Sequence, residues 1–248
     1  MNLTKNYLTG NDCYKAGRTI TPKGIMIHSS GVAQPEVNVF LRTWNAPGVD
    51  ACVHAFVHRD GVVQTLPWNW RGWHAGVPKN GGVSANNTHI SIELLEPAGH
   101  SYEGGTMVGY NPAANMEYFT AVYQNAVELC ATLCREYGFD PVDKSVLLCH
   151  SEGYARNIAS NHADVMHWFP FHGKTMDRFR ADVAAAMAPP APVPDNTPAA
   201  WEREGVEWAR ECGILRGGDA GDLMLHQEMT TAKFCVMLKR YHDRTEGT

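Results

Sequence analysis

The sequence predicts an α/β domain, a mixed central β-sheet flanked by helices, followed by a small C-terminal helical module. Three observations predict it. Short apolar runs of strand length alternate with segments of helical period, the pattern of a sheet covered by helices. Residues 116–137 carry apolar side chains at Phe119, Val122, Tyr123, Ala126, Val127, Cys130, Leu133 and Cys134, the three-and-four spacing of an amphipathic helix of about 20 residues. Residues 188–200 hold five prolines in thirteen positions, an extended linker. The expected organisation is a domain over 1–187, a linker over 188–200 and a module over 201–248.

The elements follow in order. Gly24-Ile25-Met26-Ile27-His28 reads as a buried strand closing on His28. Residues 35–45 suit a short helix. Residues 50–67 read as two strands joined by the turn His58-Arg59-Asp60-Gly61, because Asp-Gly is a strong hairpin signal. The aromatic stretch Trp68 to Trp73 is expected to form a further strand or a cleft edge. Residues 79–87, with Asn80-Gly81-Gly82, read as a loop. His89-Ile90-Ser91-Ile92-Glu93-Leu94-Leu95 is a second strand-like run. Residues 96–115, rich in glycine and carrying Pro97 and Pro112, are expected to be a long surface loop beside any site. Gly138 is placed to stop the long helix. Val146-Leu147-Leu148-Cys149-His150 is a third strand-like run, and residues 174–187 suit another helix.

Ionisable residues at the ends of buried strands point into the mouth of a sheet, where ligands collect. His28, Glu93 and His150 stand at such places, and Asp164 joins them as a fourth candidate. Two imidazoles and a carboxylate with one open position form a catalytic zinc shell, and a spare glutamate can take a proton from water. The set therefore suggests metal-assisted hydrolysis. The plainer reading stands beside it: the chain has 12 histidines, and a buried histidine is usually satisfied by an ordinary hydrogen-bond partner. His54 and His74 divide equally between cleft and core. His167 is an alternative ligand if its segment is helical. Ser29 has neither a visible triad partner nor a Gly-x-Ser-x-Gly elbow. Trp68, Trp70 and Trp73 read as framework.

Local words sharpen this. Asn11-Asp12-Cys13-Tyr14-Lys15-Ala16-Gly17, Pro22-Lys23-Gly24-Ile25-Met26-Ile27-His28-Ser29-Ser30-Gly31, Val53-His54-Ala55-Phe56-Val57-His58-Arg59-Asp60-Gly61 and Gly72-Trp73-His74-Ala75-Gly76 come first. Asn87-Thr88-His89-Ile90-Ser91-Ile92-Glu93, Cys149-His150-Ser151-Glu152-Gly153-Tyr154 and Ile158-Ala159-Ser160-Asn161-His162-Ala163-Asp164-Val165-Met166-His167-Trp168 follow. In this order they resemble the zinc-dependent N-acetylmuramoyl-L-alanine amidases of the type-2, peptidoglycan-recognition fold, above all endolysins of phages of Gram-positive hosts. The resemblance covers nearly all of 1–187. It implies Zn2+ on His28, His150 and Asp164, Glu93 as general base, and hydrolysis of the amide between N-acetylmuramic acid and L-alanine of the stem peptide. Val53 stands where some members carry a tyrosine, which leaves the base role to Glu93. His162 stands where a lysine commonly helps hold the oxyanion, so His162 is the catalytic candidate there. Rival readings are a non-catalytic peptidoglycan-binding module, which would lack a ligand, and a zinc deacetylase of wall sugars, whose motifs are absent.

Residues 201–248 resemble a single S-layer-homology-like repeat: a helix, the turn Gly213-Ile214-Leu215-Arg216-Gly217, a short apolar segment and a second helix from Thr230 to Arg240. So small a unit buries little core alone. It is expected to bind wall, to pair chains into a homo-oligomer, or to pack as a plain hairpin. The 44 % apolar and 19 % charged composition is that of a soluble globular chain, with no apolar run long enough to span a bilayer. The first residues show no signal-peptide pattern, so the expected location is the host bacterial cytoplasm until release to the wall, as for an endolysin. Seven scattered cysteines suit a reducing compartment, with Cys130, Cys134 and Cys149 as packing residues. A net charge of −5 argues against nucleic acid as the partner; peptidoglycan is the partner expected from the resemblance.

Overall fold

The computed structural model describes residues 1–188, 196–218 and 221–246, without the Glu246 side chain. The chain divides into two compact units, Met1–Ala188 and Pro189–Thr248. Most of the proline-rich linker expected over 188–200 lies outside the described residues. The first unit runs β1 (Leu3–Lys5), α1 (Asp12–Ala16), β2 (Gly24–Ser29), α2 (Val37–Thr43), β3 (Ala55–His58), β4 (Gly61–Gln64), β5 (His89–Leu94), β6 (Ser101–Glu103), β7 (Thr106–Val108), α3 (Met116–Tyr137), β8 (Leu147–Cys149), α4 (His150–Ala155) and α5 (Met176–Met187).

Six strands form one sheet in the order β1-β4-β3-β5-β2-β8. Only β3 and β4 pair antiparallel, joined by the Arg59-Asp60 turn; β1–β4, β3–β5, β2–β5 and β2–β8 are parallel, so the sheet is mixed. Its central strands are buried along their whole length, which is why they read as unbroken apolar runs. Strand alternation sorts their side chains onto two faces. One face, with Ile25, Ile27, Ile90, Ile92, Leu94, Leu147 and Cys149, packs on the apolar stripe of α3 and on Phe179 and Val183 of α5. The long helix spans the expected 22 residues and ends at Gly138, left-handed at φ 69°. Cys130 and Cys134 lie in this core.

The other face carries two smaller apolar clusters. Phe56 meets Phe40 of α2 with Leu8, Val53 and Leu95, and Met26 and Leu148 meet Ala75, Ala85 and Ala159. His28 and Glu93, adjacent in register on β2 and β5, share this face.

Several expectations need correction. Trp68 to Trp73 forms no strand; it makes two isolated bridges, Thr19 with Trp70 and Cys52 with Trp73. Residues 79–87 contain two short 3-10 turns. Residues 96–115 are not a bare loop: β6 and β7 pair antiparallel as a hairpin within them. His150 does not end β8 but opens α4, where Glu152 accepts from the Cys149 N–H at 3.2 Å.

The second unit holds α6 (Arg203–Glu211) and α7 (Thr231–Glu246). A groove of about 620 Å³ runs within it, lined by Val206, Ala209, Leu215, Met224, Val236 and Met237. Trp201, Trp208, Phe234, Leu238 and Tyr241 of this unit are exposed. Among the described residues, no helix is long and apolar enough to cross a membrane.

Candidate active site

A cleft of about 750 Å³ opens on the sheet face that carries His28 and Glu93. Three segments build its polar floor. The carboxyl end of β2 presents His28, the junction of β8 and α4 presents His150, and the loop after α4 presents Asp164. The His150 N–H donates to the Asp164 carbonyl at 3.2 Å, which fastens the loop to the helix start.

The three side chains converge. His28 Nδ1 lies 3.0 Å from Asp164 Oδ2 and 3.1 Å from His150 Nδ1, and His150 Nδ1 lies 3.7 Å from Asp164 Oδ2. A tetrahedral shell with bonds of about 2.0–2.1 Å separates its ligand atoms by about 3.3 Å. The donor triangle fits such an ion in size and in chemistry. Among the described residues it is the one cluster of three or more such ligands. Burial, then the charge of His28, pushes His150 down to about 4, so its imidazole is neutral and its lone pair available. Burial raises Asp164, but the hydrogen bond and charge of His28 and the charge of His150 outweigh it and hold the carboxyl below its ordinary range.

The far edges of both rings are also held. His28 Nε2 lies 3.0 Å from His74 Nδ1. Burial, then the charges of His28 and its neighbours, pushes His74 well below the usual imidazole range. A neutral His74 accepting the His28 N–H on Nδ1 carries its own proton on Nε2, a buried nitrogen with no partner among the described residues. That pairing leaves His28 Nδ1 as the lone pair facing the triangle, the role outer partners play around metal ligands. His150 Nε2 lies 3.3 Å from both Ser160 Oγ and His162 Nδ1. His162 is exposed at the cleft rim with its ring edge-on to His150, 4.7 Å between centroids.

Glu93 lines the same cleft, its backbone paired in the sheet and its side chain without a hydrogen bond to another described residue. Burial, followed by the charges of Asp164 and Glu96, pushes its carboxyl well above the usual range. It is a carboxyl of raised proton affinity beside a cation-sized triangle of donors.

The remaining candidates separate. His54 is a core histidine: it lies 2.8 Å from Ser91 Oγ and 2.7 Å from the Trp70 carbonyl and does not line the cleft. His74 does line it. His167 also lines the cleft, but it pairs with Glu96 at 2.8 Å and stays out of the donor triangle. Ser29 does have a histidine and a glutamate beside it. Both Ser29 Oγ, at 2.9 Å, and Glu96 Oε1 contact the same His167 nitrogen, Nε2, so the ring cannot relay a proton from one to the other as a triad does. As expected of residues 96–115, Tyr102 and the β6–β7 tip at Gly104 and Gly105 lie beside the site, as cleft walls; sequence reasoning missed Trp44. The aromatic and glycine content of those segments was the available signal; no periodicity marked them.

A mixed sheet whose parallel strand ends gather two imidazoles and a carboxylate, with an acid alongside, defines a hydrolase-type site able to take a divalent cation. The chain belongs to the N-acetylmuramoyl-L-alanine amidase family, whose model matches residues 18–167, and it is an enzyme of that class. Among solved structures, it is similar to the Staphylococcus aureus hydrolase AmiA in complex with its ligand, with TM-score 0.54 and 18 % identity over 75 % of this chain and 83 % of that one. The PlyG catalytic domain matches with TM-score 0.53 and 17 % identity over 80 % of this chain and 100 % of that one. The catalytic domain of XlyA matches with TM-score 0.51 and 21 % identity over 74 % and 99 %. At such identities the likeness is one of fold. No curated protein matches significantly.

Proposed function

We propose that the protein is a zinc-dependent peptidoglycan hydrolase that cleaves the amide joining the lactyl group of N-acetylmuramic acid to L-alanine of the stem peptide. The carrying observation is the donor triangle of His28, His150 and Asp164 with Glu93 in the same cleft. Zinc held there would supply a Lewis acid and a water of lowered pKa. Glu93 takes the proton of the attacking water and returns it to the leaving amine. Burial raises the proton affinity of its carboxylate, so the ionised form is a stronger base than a free carboxylate would be. His74 fixes the His28 tautomer, and His162 at the rim donates toward the oxyanion that develops on the carbonyl.

In this reading the enzyme acts as a phage endolysin, made in a bacterial cytoplasm and lysing the cell once it reaches the wall. The C-terminal unit, with its exposed Trp201, Trp208, Phe234 and Tyr241, serves to hold the enzyme on the wall or to pair two chains.

The test joins metal analysis to product analysis. One zinc per chain is expected, lost together with activity on His28→Ala or His150→Ala, and digested peptidoglycan should gain free amines on L-alanine. Full zinc retention in both variants overturns the ligand assignment. New amines on sugars would make the enzyme a deacetylase, and no new amines would make it a binding module.

A further inference from the structure

Beside the donor triangle, the cleft is bounded by a second polar cluster that the proton chemistry of Glu93 leaves unused. Glu96, just past β5, is fully buried. It accepts from the Gly31 N–H at 3.1 Å and the Tyr102 hydroxyl at 2.7 Å, and pairs with His100 Nε2 at 3.1 Å and His167 Nε2 at 2.8 Å. Burial raises this carboxyl, but His167, Tyr102 and Ser29 together hold it below its ordinary range, so it stays ionised. Its partners come from three separate walls: the turn after β2, the region of the β6–β7 hairpin, and the loop that carries Asp164.

A buried carboxylate with this many donors is an anchor. What it anchors is most telling at His167. That ring has Nε2 committed to Glu96 and to Ser29 Oγ. Its Nδ1 has no partner among the described residues, and the side chain lines the cleft. With Nε2 tied to the carboxylate and to Ser29 Oγ, Nδ1 is the ring nitrogen left to meet a ligand in the cleft.

We propose that His167 is a substrate-binding residue, making through Nδ1 a hydrogen bond to an amide group or a sugar hydroxyl of the peptidoglycan fragment, with Glu96 as the residue that positions it. The proposal rests on the amidase reading for its ligand and adds a contact apart from the donor triangle. It gives the buried Glu96 cluster a purpose: orienting substrate across the cleft.

The test separates the two ring nitrogens. In His167→Gln, the side-chain amide nitrogen takes roughly the place of Nε2 and keeps the tie to Glu96, while nothing remains at Nδ1. Full-length, zinc-loaded protein carrying Glu93→Gln, to stop turnover, is titrated calorimetrically with a muramyl peptide and with the same stem peptide lacking the sugar. Adding His167→Gln should raise Kd by about three- to tenfold, the loss of one hydrogen bond. In the background with Glu93 intact it should raise KM by a similar factor and leave kcat, zinc content and Tm unchanged. A loss on both ligands places the bonded group on the peptide, and a loss on the muramyl peptide alone places it on the sugar. Unchanged Kd for both ligands overturns the proposal, as does a fall in kcat at constant KM. Glu96→Gln should weaken binding in the same direction; if it fails to fold, His167→Gln alone still decides. Wild-type enzyme that frees no L-alanine amine would sink the amidase reading, while the calorimetric comparison still reports on His167.

Discussion

At the scale of the residue, Glu93 and His54 show how burial serves two different ends. Glu93 is buried beside two other carboxylates and is thereby pushed toward its protonated form. The Glu93→Gln variant keeps the shape and removes the proton acceptor. Turnover on a soluble muropeptide should fall by roughly 10²–10⁴-fold with zinc retained; a variant within a few-fold of wild type would mean that another base acts. His54 is buried with its two nitrogens satisfied, and burial pushes it down to about 4 against an ordinary 6.5. Its folded pKa lies below its unfolded one, so the unfolded chain binds the extra proton between those values. The stability this group contributes is present above pH 6.5 and is lost as the pH falls toward 4. The slope from this one group is about 1.4 kcal/mol per pH unit. Urea unfolding at a series of pH values should show that slope, flattened by about that amount in His54→Gln; an equal slope in both proteins would assign the acid sensitivity elsewhere.

At the scale of the element, β2 is the strand on which the site depends, since it carries His28 and Ser29 and sits between β5 and β8. Gly24 opens it where there is no room for a side chain. A Cβ there would stand 2.3 Å from the Val146 carbonyl oxygen and 2.9 Å from the His89 ring. Backbone cannot yield as a flexible side chain can, so Gly24→Ala should destabilise the first unit by about 1–3 kcal/mol. A midpoint of denaturation unchanged from wild type would show that β2 and β8 can part without cost. The elements also differ in how plainly the sequence displays them. The long helix α3 was legible because ten of its side chains are buried at helical spacing and a left-handed glycine closes it. The β6–β7 hairpin was not, because each strand has three residues and mostly faces solvent, too short for any period to show. Helix α4 was hidden for a related reason: the apolar run of β8 leads straight into it at His150, and six residues carry no readable stripe.

At the scale of the whole molecule, the question is what the second unit adds. Residues 1–187 alone should fold, bind zinc and hydrolyse soluble muropeptide as the full chain does, because the core and the donor triangle lie within them. On intact sacculi the truncated enzyme should be weaker. A module that holds the enzyme on its polymer, or pairs two chains, makes later encounters intramolecular and raises apparent affinity by roughly 10²–10⁴. Activity of both forms on both substrates, with mass measured in solution, decides this. Equal loss on both substrates would show the tail to be part of the catalytic structure, and no loss on either would leave it without a role in lysis. A sacculus-only loss with a halved mass would favour pairing of chains over direct wall binding.

The sequence by itself determined the class of fold and the order of its principal strands and helices. Burial imposes continuous apolar runs on the central strands and a three-and-four stripe on α3, and both survive in one dimension. It also marked His28, Glu93 and His150, since ionisable residues in or after such runs stand out, whereas Asp164 was marked by its place in the family words. Only the tertiary structure decided which histidines face the cleft. His54 and His74 sit in similar local words, yet the pleat and the Ser91 and Trp70 contacts turn the first into the core, while the second reaches the back of His28. Glu96, Tyr102 and His167 lie up to 71 positions apart and meet through a buried charge. No spacing rule links them, because a carboxylate deep in a protein recruits its partners through space and leaves no period along the chain.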